Sequence, residues 1–295
     1  MLSRVLPRPL IGVLTVCCMV PALLLWTIGT MIPAILLKLV PIFTLQRWCS
    51  RYCVWCARRW VGTNQWIFRA LHDLPQRDAY GQFVLDGALE PGKSYLLICN
   101  HQSWADILVL FGSFHRRVPF LRFFLKQDLI YVPIIGVVCW AMDFPFMTRK
   151  SGAADIATTR RACEVYKLDP VTVVNFLEGT RFTAAKQAAK KSPFQHLLRP
   201  KSAGLSYTLN AMGEQFAGLI DVTVVYQPTR RPLVWSWLCG EQNQVRVQAV
   251  MRPIPTGMLH GNYAEDAGFR ERFQAWLNGL WTQKDALLVR LRASS

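Results

Sequence analysis

A histidine and an aspartate five positions apart are the first residues whose types and spacing suggest chemistry. His101 and Asp106 follow an apolar run within LLICNHQSWADIL, residues 96–108. On one continuous helix, side chains five positions apart point about 140° away from each other and would not meet. They can meet if His101 lies in a turn after a strand and Asp106 lies in the first turn of the next helix. The carboxylate could then orient one imidazole nitrogen and leave the other as a general base.

The same residues also fit a purely structural interpretation. Ser103 suits the N-cap of a helix that begins at Trp104, and Asp106 would then lie in the positively polarised first turn. In that case Ser103 and Asp106 form a capping pair, and His101 is a solvated turn residue. Ser103 is also a rival nucleophile, but no Gly-x-Ser-x-Gly elbow surrounds it. This stretch alone does not decide between a capping pair and a catalytic pair.

A second polar stretch, FLEGTRFT at residues 176–183, favours the catalytic interpretation. Gly179 lets the backbone approach a ligand closely, and Arg181 carries a planar guanidinium that suits phosphate. Glu178 stands at the end of an apolar, β-branched run. A turn with an exposed salt bridge would explain any one of these residues. It explains the whole set beside His101 less well.

With both stretches in this order, the sequence resembles the glycerolipid acyltransferase superfamily, the lysophosphatidate acyltransferases and their relatives. The first family signature, Asn-His-x4-Asp, matches Asn100, His101 and Asp106, and the third, Glu-Gly-Thr-Arg, matches residues 178–181. The resemblance covers residues 90–290. It is strongest to the subgroup that contains lysocardiolipin acyltransferases, through strings such as HLLRPKSAGL and WLNGLWTQKDALL.

The resemblance implies a reaction and a set of roles. His101 would be the base and Asp106 its orienting partner, and an acyl group would pass from a thioester to the free hydroxyl of a lysophospholipid. No metal or cofactor is implied, because the acyl-CoA or acyl-carrier protein is a co-substrate. The implied substrate-binding residues are Lys126, Arg149, Glu178, Gly179, Arg181 and Lys201.

Within that set, the resemblance assigns phosphate binding to Lys126, Arg149 and Arg181. Three basic residues around one phosphomonoester favour lysophosphatidate as the acceptor, and the expected product is phosphatidate. Lysocardiolipin or another lysophospholipid stays open, because the sequence does not reveal the size of the pocket. Lys201 would meet the headgroup or the membrane surface.

The N-terminal part of the chain has the composition of a membrane anchor. No charged residue occurs at positions 10–37, and about 20 apolar residues suffice to span a bilayer. Pro21 and Pro33 could kink such a helix, and a re-entrant hairpin is an alternative. Residues 44–70 mix four tryptophans with arginines, which is typical of an amphipathic helix at the lipid headgroups. More basic residues follow the apolar run than precede it, which predicts a cytosolic catalytic domain.

The charge of the chain indicates the kind of partner, and the order of its predicted elements indicates the fold class. Lys and Arg number 34 against 18 Asp and Glu, and the formal net charge of +16 favours anionic partners such as membrane lipids. We expect residues 1–72 to form the anchoring and interfacial helices and residues 73–295 an α/β domain, with a mixed sheet flanked by helices. Nucleic acid is not an expected partner, because no binding signature accompanies the charge. The short basic N-terminus suits a bacterial inner membrane, with the domain on its cytoplasmic face.

Two further stretches invite interpretations that the rest of the sequence opposes. Residues 129–147 are apolar enough for a second span, but a span would put His101 and Glu178 on opposite sides of the membrane. We therefore expect core packing or shallow surface contact there. GALEPGKS, residues 87–94, matches the P-loop pattern, but β-like YLLICN follows where a P-loop needs a helix. We expect a hairpin turn between the strands QFVLDG and SYLLICN instead.

Overall fold

The N-terminal region of the structure, a computed structural model that describes residues 5–72, 82–148, 152–242 and 245–293, is a helical hairpin. An apolar helical run leads outward, and a single long helix packs back along it. Pro33 lies in the first turn of its helix, where a missing N–H breaks no hydrogen bond. The segments are α1 (Arg8–Leu24), a π-helical turn (Leu25–Gly29), α2 (Ile32–Leu37) and α3 (Phe43–Leu71).

A six-stranded mixed sheet forms the centre of the remaining chain, in the order β1-β8-β7-β2-β6-β3. β7 and β8 pair antiparallel, and all other neighbours in this sheet pair parallel. A separate parallel ladder joins β4 to β5. The strands are β1 (Gln82–Asp86), β2 (Ser94–Cys99), β3 (Leu121–Phe123), β4 (Leu125–Lys126), β5 (Phe146–Met147), β6 (Thr172–Phe176), β7 (Phe216–Val225) and β8 (Arg246–Arg252).

Helices cover both faces of this sheet, because alternate residues of its strands are apolar on both sides. In β2, Tyr95, Leu97 and Cys99 enter one core cluster, and Leu96 and Ile98 enter the other. Together with α3, the first cluster takes α4 (Ala105–Phe114), α5 (Ile135–Ala141) and α9 (Leu233–Leu238), and the second takes α6 (Gly152–Tyr166), α8 (Ala203–Met212) and α10 (Ala267–Ala293). The prediction of an α/β fold with a mixed sheet flanked by helices is confirmed.

The expected hairpin between β1 and β2 is wrong. β1 pairs with β8, and both β8 and β7 lie between β1 and β2 in the sheet. Buried β2 gains two long apolar partners in this arrangement, whereas β1, with Val84 57% exposed, suits an edge. The loop at residues 87–93 leads directly into β2, so the helix that a P-loop requires is not there.

Two observations bear on the membrane predictions. Among the described residues, Arg8–Gly29 is the one helix long and apolar enough to cross a membrane. Residues 129–147 fold as short turns, α5 and β5. The seven residues of α5 span about 10 Å, a third of the hydrocarbon thickness. Buried Lys38 ties this segment to the helical hairpin, since its Nζ lies 2.7 Å from the Ala141 carbonyl and 2.6 Å from Asp143 Oδ1.

Helix α3 has two different faces, as expected for an interfacial helix. Trp48 and Trp66 are largely exposed on one side. On the other side, Cys53 and Phe68 are buried in the same core cluster as β2. The hairpin therefore packs directly on the sheet layer that carries the candidate site. The expected domain boundary after residue 72 falls next to residues 73–81, which lie outside the described part of the chain.

Candidate active site

The His101–Asp106 pair lies between β2 and α4, in the arrangement that the sequence analysis required. β2 ends at Cys99 and α4 begins at Ala105, so the histidine is in the turn and the aspartate is in the first helical turn. His101 Nδ1 lies 2.8 Å from Asp106 Oδ2. The helix begins one residue later than predicted. The hydroxyl of Ser103 accepts a hydrogen bond from the Ala105 N–H at 3.2 Å, which is the bond that an N-cap at Ser103 makes.

The Asp106 carboxylate is both an orienting group and a cap. Oδ2 also accepts the backbone N–H groups of Gln102 (2.7 Å) and Ser103 (2.9 Å), and Oδ1 accepts the Tyr226 hydroxyl (2.7 Å). A carboxylate only accepts hydrogen bonds, so Nδ1 of His101 is assigned as the donor and Nε2 is left able to take a proton. The two interpretations of the sequence are therefore compatible, because one carboxylate serves both.

The backbone of His101 is held from the other side by the stretch that follows β6. Its N–H donates to Glu178 Oε1 at 2.9 Å, and its carbonyl accepts the Phe182 N–H at 2.7 Å. The imidazole stacks on Phe176 with a centroid separation of 4.1 Å. Backbone and ring are thus both fixed, which is what a preorganised base requires.

Glu178 lies behind the site and not in its wall, which differs from the expectation that it lines the acceptor site. The residue is 1% exposed, and its second oxygen accepts the Leu198 N–H at 2.9 Å. Burial raises the pKa of Glu178 to about 7, while the N–H groups of His101 and Leu198 act in the opposite direction. Its carboxyl bridges two loops beneath the catalytic turn.

A cavity of about 670 Å³ opens at His101. Its walls are mainly apolar, which suits an acyl chain, and three cationic residues share its lining. Apolar wall residues include Trp104, Ile107, Phe123, Leu125, Val132 and Phe176. The cationic residues are Lys126, Arg181 and Lys201. Two carboxylates, Asp128 and Asp155, also belong to the lining. A cavity with an excess of cations and mainly apolar walls suits a ligand that has an anionic head and a hydrocarbon tail.

Local contacts orient these cations. The Arg181 guanidinium lies 5.3 Å from the centroid of the Trp104 ring. Lys126 pairs with Asp128 at the cavity edge. Gly179 has a φ of +66°, and a Cβ there would lie 3.1 Å from the Lys201 side chain. The missing side chain at position 179 is therefore what allows the lysine to cross the loop.

The structure brings most of the predicted site residues together. His101, Lys126, Gly179, Arg181 and Lys201 line one cavity, and Asp106 and Glu178 hold His101 from outside it. The predicted Arg149 lies outside the described residues.

Two positioning contacts were missed by sequence reasoning. Tyr226 donates to Asp106, and the side chain of Asn100 bonds both the N–H (2.8 Å) and the carbonyl (2.9 Å) of Val224. A signal for Tyr226 was present, because it is a polar aromatic residue directly after the apolar strand DVTVV. β2 and β7 are parallel, so their carboxyl ends meet at one sheet edge.

Fold and site together define an acyltransferase-like α/β protein. The chain belongs to the acyltransferase family, since the family model described as "Acyltransferase" matches residues 76–227, more than half of the chain. This confirms the predicted membership of the glycerolipid acyltransferase superfamily.

Curated relatives and a solved structure agree with this membership. The 2-acyl-1-lysophosphatidylinositol acyltransferase of Saccharomyces cerevisiae is 25% identical, over 65% of this chain and 60% of the relative. The 1-acyl-sn-glycerol-3-phosphate acyltransferase delta of Mus musculus is 26% identical, over 65% of this chain and 51% of the relative. This chain thus spans half to three-fifths of these relatives.

A crystal structure extends the likeness across the whole fold. It is that of the 1-acyl-sn-glycerophosphate (LPA) acyltransferase, PlsC, from Thermotoga maritima. Its TM-score to this chain is 0.51 at 13% identity, over 95% of this chain and 98% of that one. At this identity the likeness concerns the fold alone.

Proposed function

We propose that the chain transfers a fatty acyl group from an acyl thioester to the free sn-2 hydroxyl of lysophosphatidic acid, which gives phosphatidic acid. The observation that carries this proposal is the shared cavity. His101, held at Nδ1 by Asp106, lines the same cavity as Lys126, Arg181 and Lys201. A base next to a pocket with three cations and mainly apolar walls suits an anionic lysolipid whose hydroxyl must be deprotonated.

The proposed reaction is a direct transfer. Nε2 of His101 takes the proton of the acceptor hydroxyl while the oxygen attacks the thioester carbonyl carbon. The C–S bond then breaks, and the proton passes from His101 to the leaving sulfur. The products are an ester and a thiol. The only other reactant is the thioester, acyl-CoA or acyl-carrier protein, so the reaction calls for no further cofactor.

The cations supply positioning. Arg181 can bind a phosphate through two parallel hydrogen bonds, and Lys126 and Lys201 add point charges at the same cavity. Fixing the phosphate would hold the acceptor hydroxyl at His101, and positioning of this kind contributes several kcal/mol, about 7 or more in the best cases. The net charge of +16 raises the local concentration of anionic lipid and thioester.

The proposed location is the cytoplasmic face of a bacterial inner membrane. Support comes from the apolar helix Arg8–Gly29 and from apolar side chains that stay exposed along α1, the π-helical turn and α2. Those above half exposure are Leu25 (61%) and Leu36 (59%). The excess of basic residues after this run favours a cytoplasmic domain.

Acyl transfer by the purified full chain tests the function. Labelled oleoyl-CoA is offered with lysophosphatidate, lysophosphatidylinositol or lysocardiolipin. We expect lysophosphatidate to give the highest kcat/KM, and His101→Ala to lose about 10²-fold or more of it. His260→Ala is the matched control, because His260 is 66% exposed and pairs with Glu214. Undiminished turnover by His101→Ala would refute the base, and preference for another acceptor would refute the substrate.

A further inference from the structure

A second cleft, of about 580 Å³, lies at the far end of α4 from His101. α4 has ten residues and is therefore about 15 Å long. The cleft lies between α3, the π-helical turn and the loop after α4. We call it the Arg–Trp cleft and define it by Trp26, Trp55, Arg58, Arg59, His115 and Arg116.

The positive charges in this cleft lack counter-charges. Among the described residues, no carboxylate lies within salt-bridge distance of Arg58, Arg59 or Arg116. Two other arginines of α3, Arg47 and Arg51, do pair with Asp169. Near the start of α3, two arginines thus share one carboxylate, whereas Arg58 and Arg59 in the middle of the helix have no carboxylate partner in the described part of the chain.

His115 reports the strength of this positive environment. Its pKa is lowered to about 4, first by burial and then by Arg116, Arg58 and Arg59. Burial also lowers the pKa of Arg58. Arg58 is half-buried, whereas Arg59 and Arg116 are exposed at the rim of the cleft, so an anion that enters would meet one desolvated and two accessible guanidinium groups.

Aromatic rings form the other wall. Trp26 Nε1–H donates to Thr63 at 3.0 Å, and the Trp26 and Trp55 rings meet edge to face with centroids 6.1 Å apart. The Arg59 guanidinium lies 5.0 Å from the Trp55 ring. Leu25, beside Trp26, is exposed to the surroundings. Tryptophan next to arginine at the edge of an apolar helix is the composition of a lipid–water boundary.

The backbone at the cleft adds an independent sign. Arg116 has a φ of +64°, a backbone conformation that residues other than glycine rarely adopt. Residues in sparsely populated backbone conformations are often found at ligand sites. In this case the residue contributes the third guanidinium of the cleft lining.

We propose that the Arg–Trp cleft binds the headgroup phosphate of an anionic membrane phospholipid, as a site separate from the His101 cavity. Inorganic phosphate would pair with the same guanidiniums, but it would leave the tryptophans and the neighbouring apolar side chains uncovered. A phospholipid covers both. The bound lipid would not be a substrate, and it would hold the enzyme on the membrane at a fixed distance from the acceptor site.

Native mass spectrometry of the full chain tests this proposal. The protein is delipidated in neutral detergent and mixed with dioleoyl phosphatidylglycerol or dioleoyl phosphatidylcholine. We expect preferential retention of phosphatidylglycerol, with affinity reduced about tenfold or more in Arg116→Gly and in Arg58→Gln. Glycine at position 116 suits the local φ, so a loss of binding would not reflect misfolding. Lys191→Gly is the control, because Lys191 is an exposed cation with a φ of +46°, and it should bind lipid as the parent does.

Three results would overturn the proposal. The first is equal retention of the two lipids, and the second is unchanged binding by Arg116→Gly. The third is displacement of phosphatidylglycerol by an equal concentration of inorganic phosphate, which would indicate a free-anion site. The Arg181→Gln variant distinguishes lipid binding in the His101 cavity from lipid binding in the Arg–Trp cleft. If it removes the lipid signal while Arg116→Gly keeps it, the lipid lies in the His101 cavity.

Discussion

At the N-terminal end of α4, Asp106 accepts hydrogen bonds from four protein donors, whereas at the other end Arg58, Arg59 and Arg116 face a cleft without a carboxylate partner among the described residues. The first end is complete without a ligand, so the geometry of His101 is set before substrate arrives. The second end has no such internal partner, and its guanidinium groups are open to an anion from outside the protein. One short helix therefore separates the proposed catalytic site from the proposed lipid site.

Asp106→Asn should break the catalytic end most severely. The amide can no longer accept all four hydrogen bonds, and the orientation of His101 is lost. We expect kcat for lysophosphatidate to fall about 10²- to 10⁴-fold. Asp285→Asn is the control, since Asp285 also accepts two backbone N–H groups, from Gln195 and His196, but away from this cavity. A similar fall in both variants would mean that backbone bracing alone matters.

Glu178→Gln tests the burial of the carboxyl beneath His101. The pKa in the folded chain is about 7 and the ordinary value is 4.5, so between these pH values the folded chain holds a proton that the unfolded chain has lost. The contribution of Glu178 to the free energy of unfolding should therefore decrease as pH rises from 4.5 to 7, by at most about 3 kcal/mol. The comparison with Glu178→Gln isolates this contribution from that of the buried His72 and His115, whose lowered pKa values act in the opposite sense.

The measurement is the melting temperature of both proteins in detergent across this range. The melting temperature of Glu178→Gln should rise relative to that of the parent as pH rises. Glu265→Gln, at an exposed glutamate, should show no such trend. A pH-independent difference at position 178 would contradict the assigned burial effect.

Tyr226→Phe should have a smaller effect at the same end of α4. It removes the hydroxyl that donates to Asp106 Oδ1 and leaves that buried oxygen with one donor fewer. We expect about a tenfold loss in kcat with little change in KM, because Tyr226 acts through Asp106. Tyr95→Phe is the matched control, since its hydroxyl accepts the Glu90 N–H at 2.8 Å near the start of β2. An equal loss there, or an effect on KM alone, would argue against the positioning role.

The smallest effects come from two residues that share one backbone conformation. Gly179 has a φ of +66° and Arg116 a φ of +64°. Gly179→Ala should lower the free energy of unfolding by about 1–2 kcal/mol, and its Cβ would displace the Lys201 side chain slightly because the two would lie 3.1 Å apart. Arg116→Gly should change it by about 0.5 kcal/mol or less, because relief of strain offsets the added entropy of the unfolded chain. Thermal melts of both variants check this, and a large loss in Arg116→Gly would show that Arg116 has a structural role.

The sequence predicted the individual strands of the fold better than it predicted which strands pair in the sheet. β2 and β6 were predicted from apolar runs, and the turn–helix geometry at His101 was given as the condition under which His101 and Asp106 could meet. The pairing of β1 with β2 was predicted wrongly, because nearness in sequence was taken for nearness in the sheet. The pattern of β1 is compatible with any partner, and the hairpin is excluded because β1 pairs with β8 at the sheet edge, with β8 and β7 between β1 and β2.

In the candidate site, residue types were predictable and their roles were only partly so. The hydrogen bond between His101 and Asp106 joins residues five positions apart, and the local sequence allowed it without deciding it. The placement of Glu178 behind His101 joins residues 77 positions apart, and the contact of Tyr226 with Asp106 joins residues 120 positions apart. Neither could be inferred from spacing, because each depends on which strands neighbour β2.

By itself, the sequence determined which groups are available and which short-range pairs they form: an imidazole after a strand, a carboxylate one helical turn later, and an apolar, tryptophan-rich N-terminus. These follow from backbone periodicity, which acts over a few residues. Tertiary structure decided that Glu178 supports His101 from beneath and that three arginines converge at the far end of α4. Both outcomes arise from contacts between distant segments, whose packing depends on the burial of the whole sheet between two layers of helices.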